Sequence, residues 1–175
     1  SHYFLKPAFF LARHSTFKKR IISGRFLSQE TYLGGALAIL RHVRQFTPNV
    51  RFVSLLGNEP WVDELLAGAL TKSQDATIRD DAFTTIVKKR YVEPLLEGNE
   101  ISKLFSVNFI NEDPPSEEIQ ERILQNLRRE MKNCDAVLLA DFGHGLMQEK
   151  IRNLVQEEAP FLVLNCQTNS NNHGF

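Results

Sequence analysis

The sequence predicts an α/β protein, and three observations predict it. Residues 136–140, AVLLA, form an apolar run long enough for a strand buried on both faces, and it breaks at once into Asp141-Phe142-Gly143-His144-Gly145. Residues 50–56, VRFVSLL, read as a second strand, closed by Gly57-Asn58 and followed by a helix over 61–70. Residues 160–164, PFLVL, read as a third, after a helix near 148–158 whose stripe is Ile151, Leu154 and Val155. Strands that alternate with helices build a sheet with helices packed against it.

The bulk numbers fit one soluble domain. The chain has 175 residues, 42% hydrophobic and 24% charged, enough for a proper core. Its 21 basic and 21 acidic residues cancel, so nothing electrostatic argues for a nucleic-acid partner. Lys18-Lys19-Arg20 is too short to change that and reads as a solvated face. No apolar run approaches the ~20 residues of a membrane span. The two cysteines, Cys134 and Cys166, have no Cys or His partner at zinc spacing. They are expected to be buried free thiols in a reducing, cytoplasmic compartment, with no metal held by the chain.

Taken in order, residues 1–20 have no clear period and are either an irregular arm or a strand pair. Residues 21–28 read as extended, with a break at Ser23-Gly24. Gly34-Gly35 opens a helix whose apolar face is Ala36, Ile39, Leu40, Val43 and Phe46, ended by Thr47-Pro48-Asn49. After the helix over 61–70, residues 71–82 are polar and expected to be irregular. Residues 83–92 are rich in β-branched side chains, interrupted by Lys88, Lys89 and Arg90, and residues 103–110 alternate again. A loop containing Gly98-Asn99 joins them, so they form an antiparallel pair, a lid or an oligomer contact. Residues 111–115 read as a linker. Ser116 then caps a helix with acids in its first turn and a core stripe of Ile119, Ile123, Leu124, Leu127 and Met131.

Three polar clusters sit where such a fold binds ligands, beyond the carboxyl ends of strands or at a helix start. Gly34 and Gly35 let a small group approach a helix N-terminus, or simply make a packing turn. Asp141 and His144 follow the central strand, in a site or in a plain strand-to-helix turn. Asn165, Gln167 and Asn169 belong to a run of amides and hydroxyls after the last strand, suited to a polyol or a nucleotide or merely to a solvated loop. Lys88 and Arg90 either reach a substrate phosphate or lie on a solvated edge. The sequence has no Walker A pattern, no GxGxxG and no hydrolase triad signature.

With these clusters placed, the chain resembles the ribokinase-like (phosphofructokinase-B type) sugar kinases, and most of all the kinase domain of bifunctional heptose kinase/adenylyltransferases. YLGGALAI (32–39), VRFVSLLGN (50–58), TTIVKKRYV (84–92), SKLFSVNFI (102–110), DAVLLADFGHGL (135–146) and LNCQTNSNNHGF (164–175) carry the resemblance, in order, over roughly residues 25–175. It implies one partial domain over 1–175: a three-layer core around a parallel-rich sheet, with a small β lid within 83–110. It implies transfer of the ATP γ-phosphate, with Mg²⁺, to a hydroxyl of a sugar or sugar phosphate, and a homodimer through the lid. Gly34 and Gly35 match the family's diglycine beside the sugar, Lys88 and Arg90 lie on or beside the lid strands, and Asp141 matches an acidic strand-end position. Asn165 and Gln167 stand where many relatives have Asp and Lys, which departs from the pattern.

The family's later Gly-Ala-Gly-Asp motif supplies an anion hole and a catalytic base. The sequence ends at Phe175 before such a motif. The expectation is that this polypeptide alone lacks kinase activity and, as a cut sheet, associates with itself. A non-catalytic sugar-phosphate-binding or oligomerisation module and a nucleotide-binding domain of another class are the competing expectations.

Overall fold

The computed structural model describes residues 2–8, 23–94 and 101–167, without the side chains of 2–8, Ser23 and Pro94. Gly98-Asn99 and Asn169 lie outside the described residues. The chain divides into two units, Ser1–Tyr32 with Val87–Phe109 and Leu33–Ile86 with Ile110–Phe175.

The first unit is a four-stranded sheet. Strand β1 (His2–Ala8) pairs antiparallel with β2 (Ser23–Glu30) and parallel with β5 (Val87–Pro94), and β5 pairs antiparallel with β6 (Ile101–Phe109). The antiparallel pair expected around the two β-rich runs is therefore present, and residues 2–8 complete it. The period of two in β5 splits the basic run between faces. Lys88 and Arg90 share one face, opposite Asn108 and Ser106 in the register. Lys89 and Tyr91 share the other, where Tyr91 stacks on Phe105 at 4.4 Å between centroids and the Lys89 ammonium lies 5.0 Å from the Phe109 ring centre.

The second unit holds the helices. Helix α1 (Gly35–Val43) and helix α2 (Pro60–Ala69) flank strand β3 (Leu55–Leu56) in sequence. Strand β4 (Ile78–Arg79) pairs parallel with β3, and an isolated bridge joins Phe52 to Asp75. Helix α3 (Glu117–Met131), strand β7 (Val137–Asp141), helix α4 (Glu149–Glu158) and strand β8 (Leu162–Cys166) follow, with β7 and β8 parallel. Ser116 caps α3, its Oγ accepting from the Ile119 amide at 3.3 Å.

Two apolar clusters hold this unit. One joins Leu40, Phe52, Val62, Leu66 and Leu70; the other joins Leu55 and Ile78 to the α3 and α4 stripes and to Leu139. Leu55 belongs to the second cluster and its neighbour Leu56 packs on the first, because successive strand residues point to opposite faces. Ile151 and Val62 are fully buried, and burying an aliphatic side chain of that size contributes about 2 kcal/mol. The coarse result is an α/β architecture with small parallel and antiparallel sheets and, among the described residues, four helices.

Four expectations are corrected. Residues 71–82 are not wholly irregular: β4 lies within them, and its polar neighbours serve a turn in which the Thr77 amide and hydroxyl donate to Asp75 Oδ1. Phe46 is not on the α1 stripe. The helix ends at Val43, the following residues tighten into i→i+3 bonds, and the ring is 90% exposed. Strand β7 is not buried on both faces: Leu139 packs on α3 and α4, while Leu138 and its register partner Val163 are each 41% exposed. The cysteines are free but only half-buried, with Cys134 Sγ donating weakly to the Met131 carbonyl.

Candidate functional site at the carboxyl end of β7

Strand β7 delivers Asp141 and then turns. The Asp141 Oδ1 accepts the Gly143 amide at 2.8 Å in an Asx-type turn, and Gly143 then takes φ +69°, a conformation that favours glycine. Gly145 adopts φ +79°, and the Gln148 side-chain amide donates to its carbonyl at 2.8 Å. Parallel pairing sets Asn165 beside Ala140 and Cys166 beside Asp141, and the Gln167 amide donates to the Asp141 carbonyl at 2.9 Å. Asp141, Asn165 and Gln167 therefore reach the same end of one strand pair.

A cavity of about 280 Å³ opens beside this turn. Gly143, His144, Gly145 and Gln148 line one part, and Ile110, Asn111, Glu112, Asp113 and Pro114 the other. The Asn111 side chain is engaged with Thr84, accepting its amide at 2.9 Å and donating to its carbonyl at 2.8 Å. Glu112 and Asp113 fall in the stretch whose sequence reads as a linker. The only signal for them was an acidic pair directly after an alternating strand, which occurs in ordinary turns as well.

The diglycine meets the same turn. Gly35 takes φ +54°, and a Cβ placed on it would lie 3.6 Å from the Phe142 ring. Gly34 is extended and faces open space. Helix α1 begins there with no side-chain cap and no acid in its first turn, which leaves its first amides to other acceptors. Phe142 lies inside the central motif but carries no polar group, so residue type alone does not mark it as a site residue.

Lys88 and Arg90 belong to the four-stranded unit and share its polar face with Asn108 and Ser106. Asn169 lies outside the described residues. Among the described residues no three His, Cys, Asp or Glu side chains gather where they could hold a metal ion. No described helix is long and apolar enough to cross a membrane.

A second polar cluster lies beyond β3. Burial pushes the Glu59 carboxyl up, but hydrogen bonds from the Thr85 hydroxyl and amide and the nearby Arg79 charge outweigh it and hold the group below its usual range. On α3, Arg51 grips Glu130 through two nitrogens at 2.6 and 3.0 Å, and this pairing holds the Glu130 carboxyl low against the opposing effect of burial.

No protein-family profile matches the sequence. It is 26% identical over 134 residues to the bifunctional protein HldE of a Bradyrhizobium species (strain ORS 278), covering 72% of this chain and 26% of that protein. The corresponding figures for HldE of Wolinella succinogenes are 25% over 132 residues, 74% and 27%. For HldE of Rhodopseudomonas palustris (strain BisB5) they are 27% over 137 residues, 74% and 26%. The chain is similar to these bifunctional HldE proteins at 25–27% identity, matching them over 72–74% of its own length and spanning about a quarter of theirs.

Proposed function

We propose that this chain binds and covers the sugar substrate of an ATP-dependent sugar kinase, within a three-layer ribokinase-like core. One observation carries the reading: Gly35, which opens α1, lies beside Phe142 of the turn that presents Asp141 and His144, at the carboxyl end of a parallel strand. Two clusters read separately from the sequence thus meet.

In this reading Asp141 accepts a hydrogen bond from a sugar hydroxyl, and the uncapped first turn of α1 receives a sugar oxygen or phosphate. Asn165, Gln167 and His144 supply further polar contacts around the ring, and Asn169 follows them in sequence. Lys88 and Arg90 are further candidates to bind a substrate phosphate. ATP, with Mg²⁺ carried on its phosphates, supplies the transferred group. The distant likeness to HldE supports a heptose phosphate as the sugar. A second copy is the partner proposed for the lid, whose Val107 and Phe109 are 39% and 42% exposed.

Calorimetric titration with heptose 7-phosphate, fructose 6-phosphate and glucose 6-phosphate tests the reading. Saturable binding of a sugar phosphate is expected, weakened about ten-fold by Asp141→Asn with no change in unfolding midpoint. No heat with any sugar phosphate, together with binding of a dinucleotide, removes it. Light scattering tests the lid contact: a mass near twice 20.1 kDa is expected, and a monomer at high concentration removes it.

A further inference from the structure

We infer that Phe142 is the positioning residue that fixes where the Gly34–Gly35 turn presents its backbone to substrate, an inference that rests on the sugar-binding reading above. The two glycines have different surroundings. Gly35 is in the left-handed region, with the Phe142 ring carbons 3.6 and 3.7 Å from where a Cβ would stand. Gly34 is extended and has nothing within 4 Å of that point. One glycine has the ring at the distance a Cβ would touch, and its neighbour faces open space.

Phe142 is well placed for this task because the backbone around it is held. Asp141 is tied to β8 through the Gln167 amide, and Gly143 is tied back to the Asp141 carboxylate. The ring between them is half-buried. The strand pairs β3–β4 and β7–β8 share no ladder bond among the described residues. Strand pairing therefore does not carry the position of the β7 end to α1. Helix α1 also lacks the side-chain cap that usually fixes a helix entry. The Phe142 ring beside Gly35 is the side chain placed to supply what both would otherwise provide. A misplacement of about 1 Å in a substrate-positioning group can cost about 100-fold in rate, so a contact of this kind has consequences well beyond its area.

The test separates position from packing. In proton NMR the Gly35 α-protons are expected to show ring-current shifts, retained in Phe142→Tyr and lost in Phe142→Leu. Titration with heptose 7-phosphate then reads the function. The expected result is affinity about ten-fold weaker in Phe142→Leu and within about three-fold of wild type in Phe142→Tyr, with Gly35→Ala weakened like the leucine variant. The Gly35→Ala and Phe142→Leu losses should not add when combined, because both act through one turn. If the leucine variant does not fold, the tyrosine and Gly35→Ala variants decide the same question. Equal affinity of wild type, Phe142→Leu and Gly35→Ala, or fully additive losses, overturns the inference while the sugar-binding reading stands. A wild-type chain that binds no sugar phosphate overturns both.

Discussion

The Glu59 carboxylate takes both hydrogen bonds that Thr85 can donate, from its amide at 2.8 Å and its hydroxyl at 2.7 Å, while the same hydroxyl accepts the Gly57 amide at 2.9 Å. Thr85 is buried. Replacing it with valine keeps the shape but leaves a buried amide and a carboxylate oxygen short of partners. Thr85→Val is expected to cost about 1–3 kcal/mol in urea unfolding, with an unchanged m-value.

Gly57 stands in the same knot, and its constraint is space rather than backbone angle. A Cβ there would overlap the Phe83 carbonyl oxygen and the Glu59 side chain. Gly57→Ala must therefore push apart the end of β3 and the residues before β5. A loss of about 2 kcal/mol or more is expected by thermal unfolding.

The pH dependence has a definite sign. Glu59 and Glu130 both have carboxyls lowered from an ordinary value of 4.5. A group lowered on folding stabilises fully above its unfolded value and loses that contribution as pH falls through its folded value. Stability should stay level down to about pH 5 and decline below about pH 4.5. Glu130→Gln is expected to be less stable at pH 7 and to decline less steeply in acid, measured by denaturant unfolding across that range.

Alanine scanning of the diglycine should separate fold from site. Gly35→Ala forces an L-residue into positive φ and is expected to cost about 1 kcal/mol of stability. Gly34→Ala keeps an ordinary extended conformation and meets no neighbour, so its unfolding midpoint should be unchanged. Under the sugar-binding reading it should nevertheless weaken the titration with heptose 7-phosphate.

The helices were legible because their stripes are regular: Ile119, Ile123, Leu124 and Met131 are all buried where the 3.6-residue period puts them. Strand β4 was not, because two residues carry no period and Asp75 and Thr77 look like a loop while they serve a turn beside a parallel pair. The apolar run at 136–140 reads as buried on both faces, since sequence records hydrophobicity and not which face is covered. At the site, the polar clusters were visible from residue type alone. Phe142 was not, because its contact with Gly35 joins residues 107 positions apart through an aromatic ring and no hydrogen bond.

The polar ends of β7 and β8 have a consequence for how such a chain diverges. Leu139 anchors β7 in the apolar cluster, while Asp141, Asn165 and Gln167 project from the strand ends and contribute no buried apolar side chain. Drift at Asn165 and Gln167 alters what the end of the sheet can hold without emptying the apolar cluster, whereas Asp141 must also keep an acceptor for the Gly143 amide. What the strand ends present can thus change in small steps across a fixed scaffold.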